Sequence, residues 1–236
     1  MNIFGLNPVV VFGSDEQKRR MLPPIVQGRE KACFAVTEPN TGLNTTQLKT
    51  RAVRHGDHYL VDGQKVWIST AQVAERMLLL ARTTPLDEVT QASHGLSLFY
   101  TALDRRHVQV REIDKMCIDS NELFIEGLKI PLEDRIGDEG RGFDCILHGM
   151  NPERVLIAAE AVGLGHLALS RASAYAKERV VFNRPIGQNQ AIQHPLAKNW
   201  AELEAAWLMT LFAAWQYDKG LPCGAAANAA KYLAGE

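Results

Sequence analysis

Four short stretches of this 236-residue sequence gather side chains capable of chemistry. Met150-Asn151-Pro152-Glu153-Arg154 sets a carboxylate beside a guanidinium, immediately ahead of an apolar run that begins at Val155. Proline suits the first turn of a helix, so this spacing predicts that Glu153 sits near a helix start. Burial against the apolar run would lift its pKa toward the range of a general base, while the helix dipole and Arg154 oppose that lift. Glu160, seven residues on, shares the helix face and is the second candidate for the same role. The other stretches are Val36-Thr37-Glu38-Pro39 with Gly42, then Gly63-Gln64-Lys65-Val66-Trp67-Ile68-Ser69, and finally Glu178-Arg179 with Phe182 and Gln190-Ala191-Ile192. Taken singly, their residues have ordinary roles. Thr37 and Ser69 read as strand hydroxyls bonded to backbone, Trp67 as core, Arg179 as a cation favoured at a helix C-terminus, and Phe182 as a staple onto the next helix.

The elements that must position these residues fall into three regimes. Ser14 with Gln17 fits a capping box, with Asp15 and Glu16 where the dipole favours acids, and Pro23-Pro24 is expected to stop that helix after barely two turns. From about Ala32 to Ile136 the pattern turns to short β-branched and aromatic runs. His58 to Val61 and Gln64 to Ser69 flank Asp62-Gly63, a hairpin signature. Further runs at Met77–Ala81, Leu96–Leu103, Val108–Ile113 and Glu122–Ile130 suit an antiparallel sandwich or barrel and leave no room for crossover helices. Beyond Gly137-Asp138-Glu139-Gly140 the composition is helical. One segment runs from near Glu153 to Val180 across Gly163 and Gly165. A second carries the stripe Leu196, Trp200, Leu203, Trp207 and Leu211, flanked by Ala205, Leu208 and Phe212. A third begins after Pro222 and is still running at Glu236. The expected class is therefore α+β: an N-terminal helical stub (residues 1–31), an antiparallel β-sandwich or barrel (32–138) and a partial helical bundle (139–236). A helix apolar on two sides needs neighbours on both, and two long helices with a fragment supply too few, so further chain or a partner is expected to cover them.

Composition excludes several classes. Lys and Arg number 26 against 27 Asp and Glu, for a net charge of −1, which leaves no electrostatic footprint for nucleic acid or an anionic membrane. No uninterrupted apolar stretch approaches the roughly 18–20 residues of a membrane span. Cys33, Cys117, Cys145 and Cys223 lie far apart, without Cys-x-x-Cys or histidines at zinc spacing, so neither a disulfide framework nor structural zinc is expected, and the default compartment is the cytoplasm.

Taken together and in this order, the Thr37-Glu38-Pro39, Gly63–Ser69, Glu178-Arg179-x-x-Phe182 and Gln190-Ala191-Ile192 motifs resemble the acyl-CoA dehydrogenase family, over nearly the whole chain. The resemblance implies a middle β-domain and a truncated C-terminal helical domain, with most of the N-terminal helical domain absent. It implies an oxidoreductase that binds flavin adenine dinucleotide, removes a proton beside a thioester carbonyl, and passes hydride from the next carbon to flavin N5. On this likeness Val36 and Thr37 lie along the pyrimidine side of the flavin, Trp67 packs against the rings, and the Ser69 hydroxyl bonds near N5. Arg179 and Phe182 reach the flavin of a neighbouring subunit, with Gln190 also at the cofactor, which implies a homodimer or homotetramer. Glu153 corresponds to the base position of the isovaleryl-CoA and long-chain branches, with Arg154 beside the substrate. An electron-transferring flavoprotein is the implied acceptor. The sequence also departs from the family: Leu43 and Asn44 follow Gly42 where Ser and Asp are usual, and Val181 stands where a threonine often contacts the pyrophosphate. The backbone donor and Gly-rich segment that other members supply from a C-terminal region lie beyond residue 236. Two other readings remain: a catalytically inactive fragment or assembly partner of the same fold, and a flavin oxidase or monooxygenase on the same scaffold.

Overall fold

The computed structural model describes residues 2–115 and 119–236, so Cys117 lies outside the described part. The chain divides into two compact units, Met1–Gly149 and Met150–Glu236.

The first unit opens with helices α1 (Asn2–Phe12) and α2 (Asp15–Val26). The capping box forms: Gln17 N donates to Ser14 Oγ at 3.1 Å and Ser14 N to Gln17 Oε1 at 2.9 Å. The expected stop at Pro23-Pro24 does not occur, and α2 continues to Val26. Proline lacks a donor but keeps its carbonyl, and here both carbonyls are used, accepting from Gln27 N at 3.0 Å and from Arg29 N at 2.9 Å. Arg20 anchors the helix to buried Asp134 at 2.9 Å, and Gln17 Nε2 reaches the carbonyls of Glu133 and Arg135.

Eight strands follow in this unit: β1 (Ala32–Ala35), β2 (Arg51–His55), β3 (His58–Ile68), β4 (Arg76–Arg82), β5 (Leu96–Ala102), β6 (Val108–Glu112), β7 (Asn121–Pro131) and β8 (Arg135–Ile136). They form one sheet in the order β6-β7-β3-β2-β4-β5-β8, with β1 beside β4. The sheet is mixed, where a wholly antiparallel one was expected. β1 runs parallel to β4, and one parallel pair joins Arg51 of β2 to Arg82 of β4. A four-residue strand whose parallel partner begins 44 residues further on, Arg76 opposite Ala32, leaves little periodic signal. Asp62-Gly63 is not a hairpin turn. It interrupts one continuous strand, where the register against β7 shifts between Val61 and Gly63, and the hairpin lies instead at Gly56-Asp57, between His55 and His58. Gly63 is required at the irregularity, since a Cβ there would stand 2.7 Å from Thr50 Cα. The sheet curls over its core. Tyr59 on β3 and Phe99 on β5 lie three strands apart, about 14 Å on a flat sheet, yet their rings are 4.9 Å apart.

A 37-residue helix, α3 (Gly142–Glu178), begins some ten residues before the expected start and carries Pro152 inside it. The second unit comprises its larger part, the hairpin β9 (Val180–Val181) and β10 (Arg184–Pro185), and helices α4 (Gln190–Asp218) and α5 (Gly224–Gly235). Its core is built from small residues, Ala158, Ala213, Ala227 and Ala230, with Val155 and Met209 against them. Side chains of that size let helix axes approach closely. Gly165 serves the same end, because a Cβ there would meet Leu203. The tryptophan stripe of α4 is not the buried face: Ala206, Thr210 and Ala213 are buried, while Trp200, Trp207, Leu211 and Phe212 are exposed.

Candidate active site

The first group of predicted residues is assembled by a charge that the sequence reading passed over. Lys65 is fully buried in β3. Its Nζ donates to Val36 O at 3.0 Å, Leu80 O at 2.8 Å and Glu38 Oε1 at 2.9 Å, using all three protons. Glu38 in turn accepts from Lys49 N at 2.6 Å and Thr50 N at 2.9 Å. Burial pulls the ammonium down to about 8 against the pull of Glu38. For Glu38, burial pushes the carboxyl up, but Lys65 and the bonds from Lys49 and Thr50 outweigh it and hold it below the usual range. The loop 36–38 is thereby laid along β3, and Val66 N donates to Thr37 O at 2.9 Å. The Glu of Thr-Glu-Pro and the Lys of Gly-Gln-Lys-Val-Trp are thus the brackets that bring Thr37 beside Trp67. A lysine in step with the inward-facing apolar positions Tyr59 and Val61 of the same strand was the signal available for this.

At the end of β3 the backbone leaves ordinary conformations. Trp67 has φ +62° and Thr70 φ +69°. Positive φ for a bulky side chain is a real outlier, of a kind that gathers at functional sites and costs of order 1–3 kcal/mol. Its effect is to turn the Trp67 indole outward, 59% exposed, with the Lys115 ammonium 5.8 Å from the ring centroid, so Trp67 is not core. Ile68 returns to the core, and its carbonyl accepts from buried Asn121 at 2.8 Å. Ser69 is half-buried just after. Among the described residues neither the Thr37 nor the Ser69 hydroxyl has a hydrogen-bond partner, so the ordinary reading as strand hydroxyls tied to backbone fails for both. Val36 is buried and contributes its carbonyl to Lys65.

In the second unit Glu153 stands about three turns inside α3, not at its start, so the helix dipole expected to act on it does not apply. Its carboxyl is half-buried and, among the described residues, without a hydrogen-bond or ion-pair partner. Burial raises its pKa above the ordinary value, against a smaller downward pull from Arg154. The Arg154 guanidinium is turned to Asn151 Oδ1 at 3.3 Å. Glu160 is exposed.

The hairpin after α3 turns on Phe182 and Asn183, with φ +52° and +62°. Positive φ at both central residues is the signature of a type I′ turn. Phe182 is 94% exposed and staples nothing. Arg179 is exposed too, and its carbonyl accepts from Ile186 N at 2.8 Å, which ties the hairpin to the end of α3. Gln190 is the exposed first residue of α4, just after Asn189, whose side chain accepts from Arg184 at 2.6 Å. Leu43 is fully exposed, and Asn44 is occupied by Thr46 Oγ1 at 2.6 Å.

Two family descriptions match the sequence: the acyl-CoA dehydrogenase middle domain over residues 33–127, and the acyl-CoA dehydrogenase C-terminal domain over 140–236. This chain belongs to the acyl-CoA dehydrogenase family. Acyl-CoA dehydrogenase FadE12 of Mycobacterium tuberculosis is 37% identical over 233 residues, covering 97% of this chain and 59% of that protein. Butyryl-CoA dehydrogenase from Megasphaera elsdenii superposes with a TM-score of 0.92 at 30% identity, over 98% of this chain and 61% of that one. Glutaryl-coenzyme A dehydrogenase, in a structure titled as its glutaryl-CoA complex, gives a TM-score of 0.93 at 30% identity over 100% of this chain and 60% of that one. The chain therefore spans about three-fifths of the relatives it matches. The fold is α+β, a middle β-domain and a C-terminal helical domain of this flavoprotein oxidoreductase family. α3 has, by length and composition, enough apolar character to cross a membrane. It falls within the match to the acyl-CoA dehydrogenase C-terminal domain.

Proposed function

We propose that this chain carries the flavin wall and the catalytic base of an acyl-CoA dehydrogenase, which oxidises an acyl-CoA thioester to the trans-2-enoyl-CoA. The observation that carries the reading is the exit of β3, where an outward-turned Trp67 is flanked by the unpartnered hydroxyls of Thr37 and Ser69. Such a surface suits a planar heteroaromatic ring: an indole to pack on it and two hydroxyls to bond its edge. Phe182 is exposed on the turn and Arg179 is exposed at the end of α3, as residues that meet an adenosine and a pyrophosphate across a subunit boundary need to be. The residues present thus fit FAD, with Val36, Thr37, Trp67 and Ser69 at the rings and Arg179, Phe182 and Gln190 at the nucleotide half. FAD, when bound, supplies the acceptor for the hydride that leaves the β-carbon.

The protein's own contribution is proton chemistry and placement. Glu153, unpartnered and raised in pKa, takes the α-proton of the thioester. Arg154 lies beside it on the substrate side and opposes the rise that burial causes. Lys65 and Glu38 hold the Thr37 and Trp67 segments in register. Electrons then pass to an electron-transferring flavoprotein, the working assembly is a homodimer or homotetramer, and the compartment is the cytoplasm. The test has two parts. Flavin released by heat and identified by mass is expected to be FAD, and recovery of FMN alone would contradict the roles of Arg179 and Phe182. Mixing the flavin-loaded chain with acyl-CoA thioesters in a stopped-flow instrument is expected to bleach the flavin. A flavin that no acyl-CoA bleaches would favour the reading as a non-catalytic assembly partner.

A further inference from the structure

The strained exit of β3 is held by side chains from outside its own strand. Residues 67–74 include the positive-φ residues Trp67 and Thr70, and the ladder between β3 and β7 shifts register between Lys65 and Ile68, so sheet pairing alone does not fix this segment. Asn121 opens β7 directly opposite Ile68, fully buried, in step with the core-facing Leu123 and Ile125. That alternation calls for an apolar side chain. The amide instead directs both of its protons at the β3 exit: Nδ2 donates to Ile68 O at 2.8 Å and to Gln72 Oε1 at 2.8 Å. Its Oδ1 is buried and, among the described residues, has no hydrogen-bond partner. A buried acceptor without a donor is costly, so what Asn121 contributes lies in its two donated bonds. Exposed Arg105 grips the rest of the segment, its Nη2 donating to the carbonyls of Ala71 at 2.7 Å, Gln72 at 3.2 Å and Ala74 at 3.2 Å. Asn121 thus fixes the carbonyl that lies between Trp67 and Ser69, and Arg105 ties down the turn that follows. Because a trans peptide is planar, holding the Ile68 carbonyl inward also fixes the plane from which the Ser69 main chain departs.

We infer that Asn121 and Arg105 are positioning residues, which act through the main chain of residues 68–74 to hold the Trp67 ring and the Ser69 hydroxyl where a flavin is received. The inference rests on the flavin reading above and adds to it the residues that maintain its geometry. A residue that acts through Ser69 has a recognisable signature: once the Ser69 hydroxyl is gone, its own loss has little left to misplace.

The variants are Asn121→Leu, which keeps the volume and removes both donors, and Arg105→Ala, at an exposed position where folding should be retained. Hydrogen exchange read by mass spectrometry on the flavin-free full chain is the first measurement. Amides of residues 67–74 are expected to exchange about tenfold or more faster in both variants, while β4 and β5 keep parental protection. Unchanged exchange in 67–74 overturns the inference. Faster exchange across β4 and β5 as well, or an Asn121→Leu chain that does not fold, would make these residues contacts of the whole sheet and overturns it too. The second measurement is the reduction potential of bound flavin at saturating FAD. Asn121→Leu should shift it in the same direction as Ser69→Ala, and Asn121→Leu/Ser69→Ala should show little shift beyond Ser69→Ala alone. An unshifted potential in Asn121→Leu, or an equal further shift in the double variant, means that Asn121 does not act through Ser69. A parent chain that binds no FAD overturns the flavin reading alone, and the hold of Asn121 and Arg105 on the β3 exit is then decided by the exchange measurement.

Discussion

Trp67 and Glu153 each carry a local cost, and each cost predicts a variant more stable and less active than its parent. Trp67 sits at φ +62° with most of its ring in water, so the fold gains little from the side chain and bears the backbone strain. Trp67→Gly removes the strain and is expected to leave chemical stability unchanged or raise it by about 1 kcal/mol, less the entropy of a glycine in the unfolded chain. The same change removes the surface on which a flavin ring packs, so FAD retention through gel filtration should fall. Equal FAD retention would show the indole is not a cofactor contact. For Glu153, a carboxyl whose folded pKa lies above its unfolded value is penalised once it ionises. No penalty exists below the unfolded pKa, near 4.5, and the full penalty is present above the folded pKa. Glu153→Gln should therefore melt at higher temperature than the parent at neutral pH, with the gap closing as pH falls toward 4.5. Flavin reduction by acyl-CoA should drop by several orders of magnitude in the same variant, and in the parent it should fail on acidification at a pH above the ordinary glutamate range. Glu160→Gln should do much less. Near-parental bleaching in Glu153→Gln would place the base elsewhere.

Strand β3 and the loop before β2 depend on one buried pair. Lys65→Met keeps length and apolarity but leaves Glu38 buried without its cation, and breaking such a pair costs about 3–5 kcal/mol. Denaturant unfolding should register that loss, and the double variant Lys65→Met/Glu38→Gln should recover part of it. Because Glu38 is depressed in the folded state, its contribution is present above the unfolded carboxylate pKa and is lost as pH falls through its lower folded value. A Lys65→Met protein as stable as its parent would mean the loop is held by its backbone bonds alone. The sequence makes the strands legible because alternation and β-branching are local properties, and β4 through β7 appear close to where their patterns place them. It conceals what depends on distant partners. Asp62-Gly63 has the composition of a turn, yet the pairing of β3 with β7 on both sides of it makes it a bulge. Pro23-Pro24 and Pro152 look like helix boundaries, but the carbonyls of Pro23 and Pro24 accept bonds from the residues that follow, and helix already formed ahead of Pro152 runs through it. Likewise Thr37, Trp67 and Ser69 were visible as a motif, while the pair that aligns them was not, since Glu38 and Lys65 are far apart in sequence.

Across the whole chain the apolar surface is unevenly covered. The first unit buries its aromatic and branched residues inside a curled sheet, whereas the second packs through alanines and leaves the large side chains of α4 facing outward. Trp200, Trp207, Leu208, Leu211, Phe212 and Trp215 are all exposed, and the rings of Phe212 and Trp215 stack at 5.9 Å. A contiguous face of this size exceeds the scattered apolar residues of an ordinary surface and behaves as an interface. Its stabilising potential is released only when a second surface covers it, at about 25 cal/mol per Å² removed from water. The chain of residues 1–236 is therefore expected to self-associate at micromolar concentration. Trp200→Gln/Trp207→Gln should shift it toward the monomer with little change in unfolding free energy, because neither ring is in the unit's core. Light scattering and sedimentation velocity at two concentrations read both quantities. A monomer at micromolar concentration in the parent would show that the α4 face is tolerated in water. An assembly that survives the double substitution would place the contact on another surface, with the exposed Phe182 hairpin the next region to change.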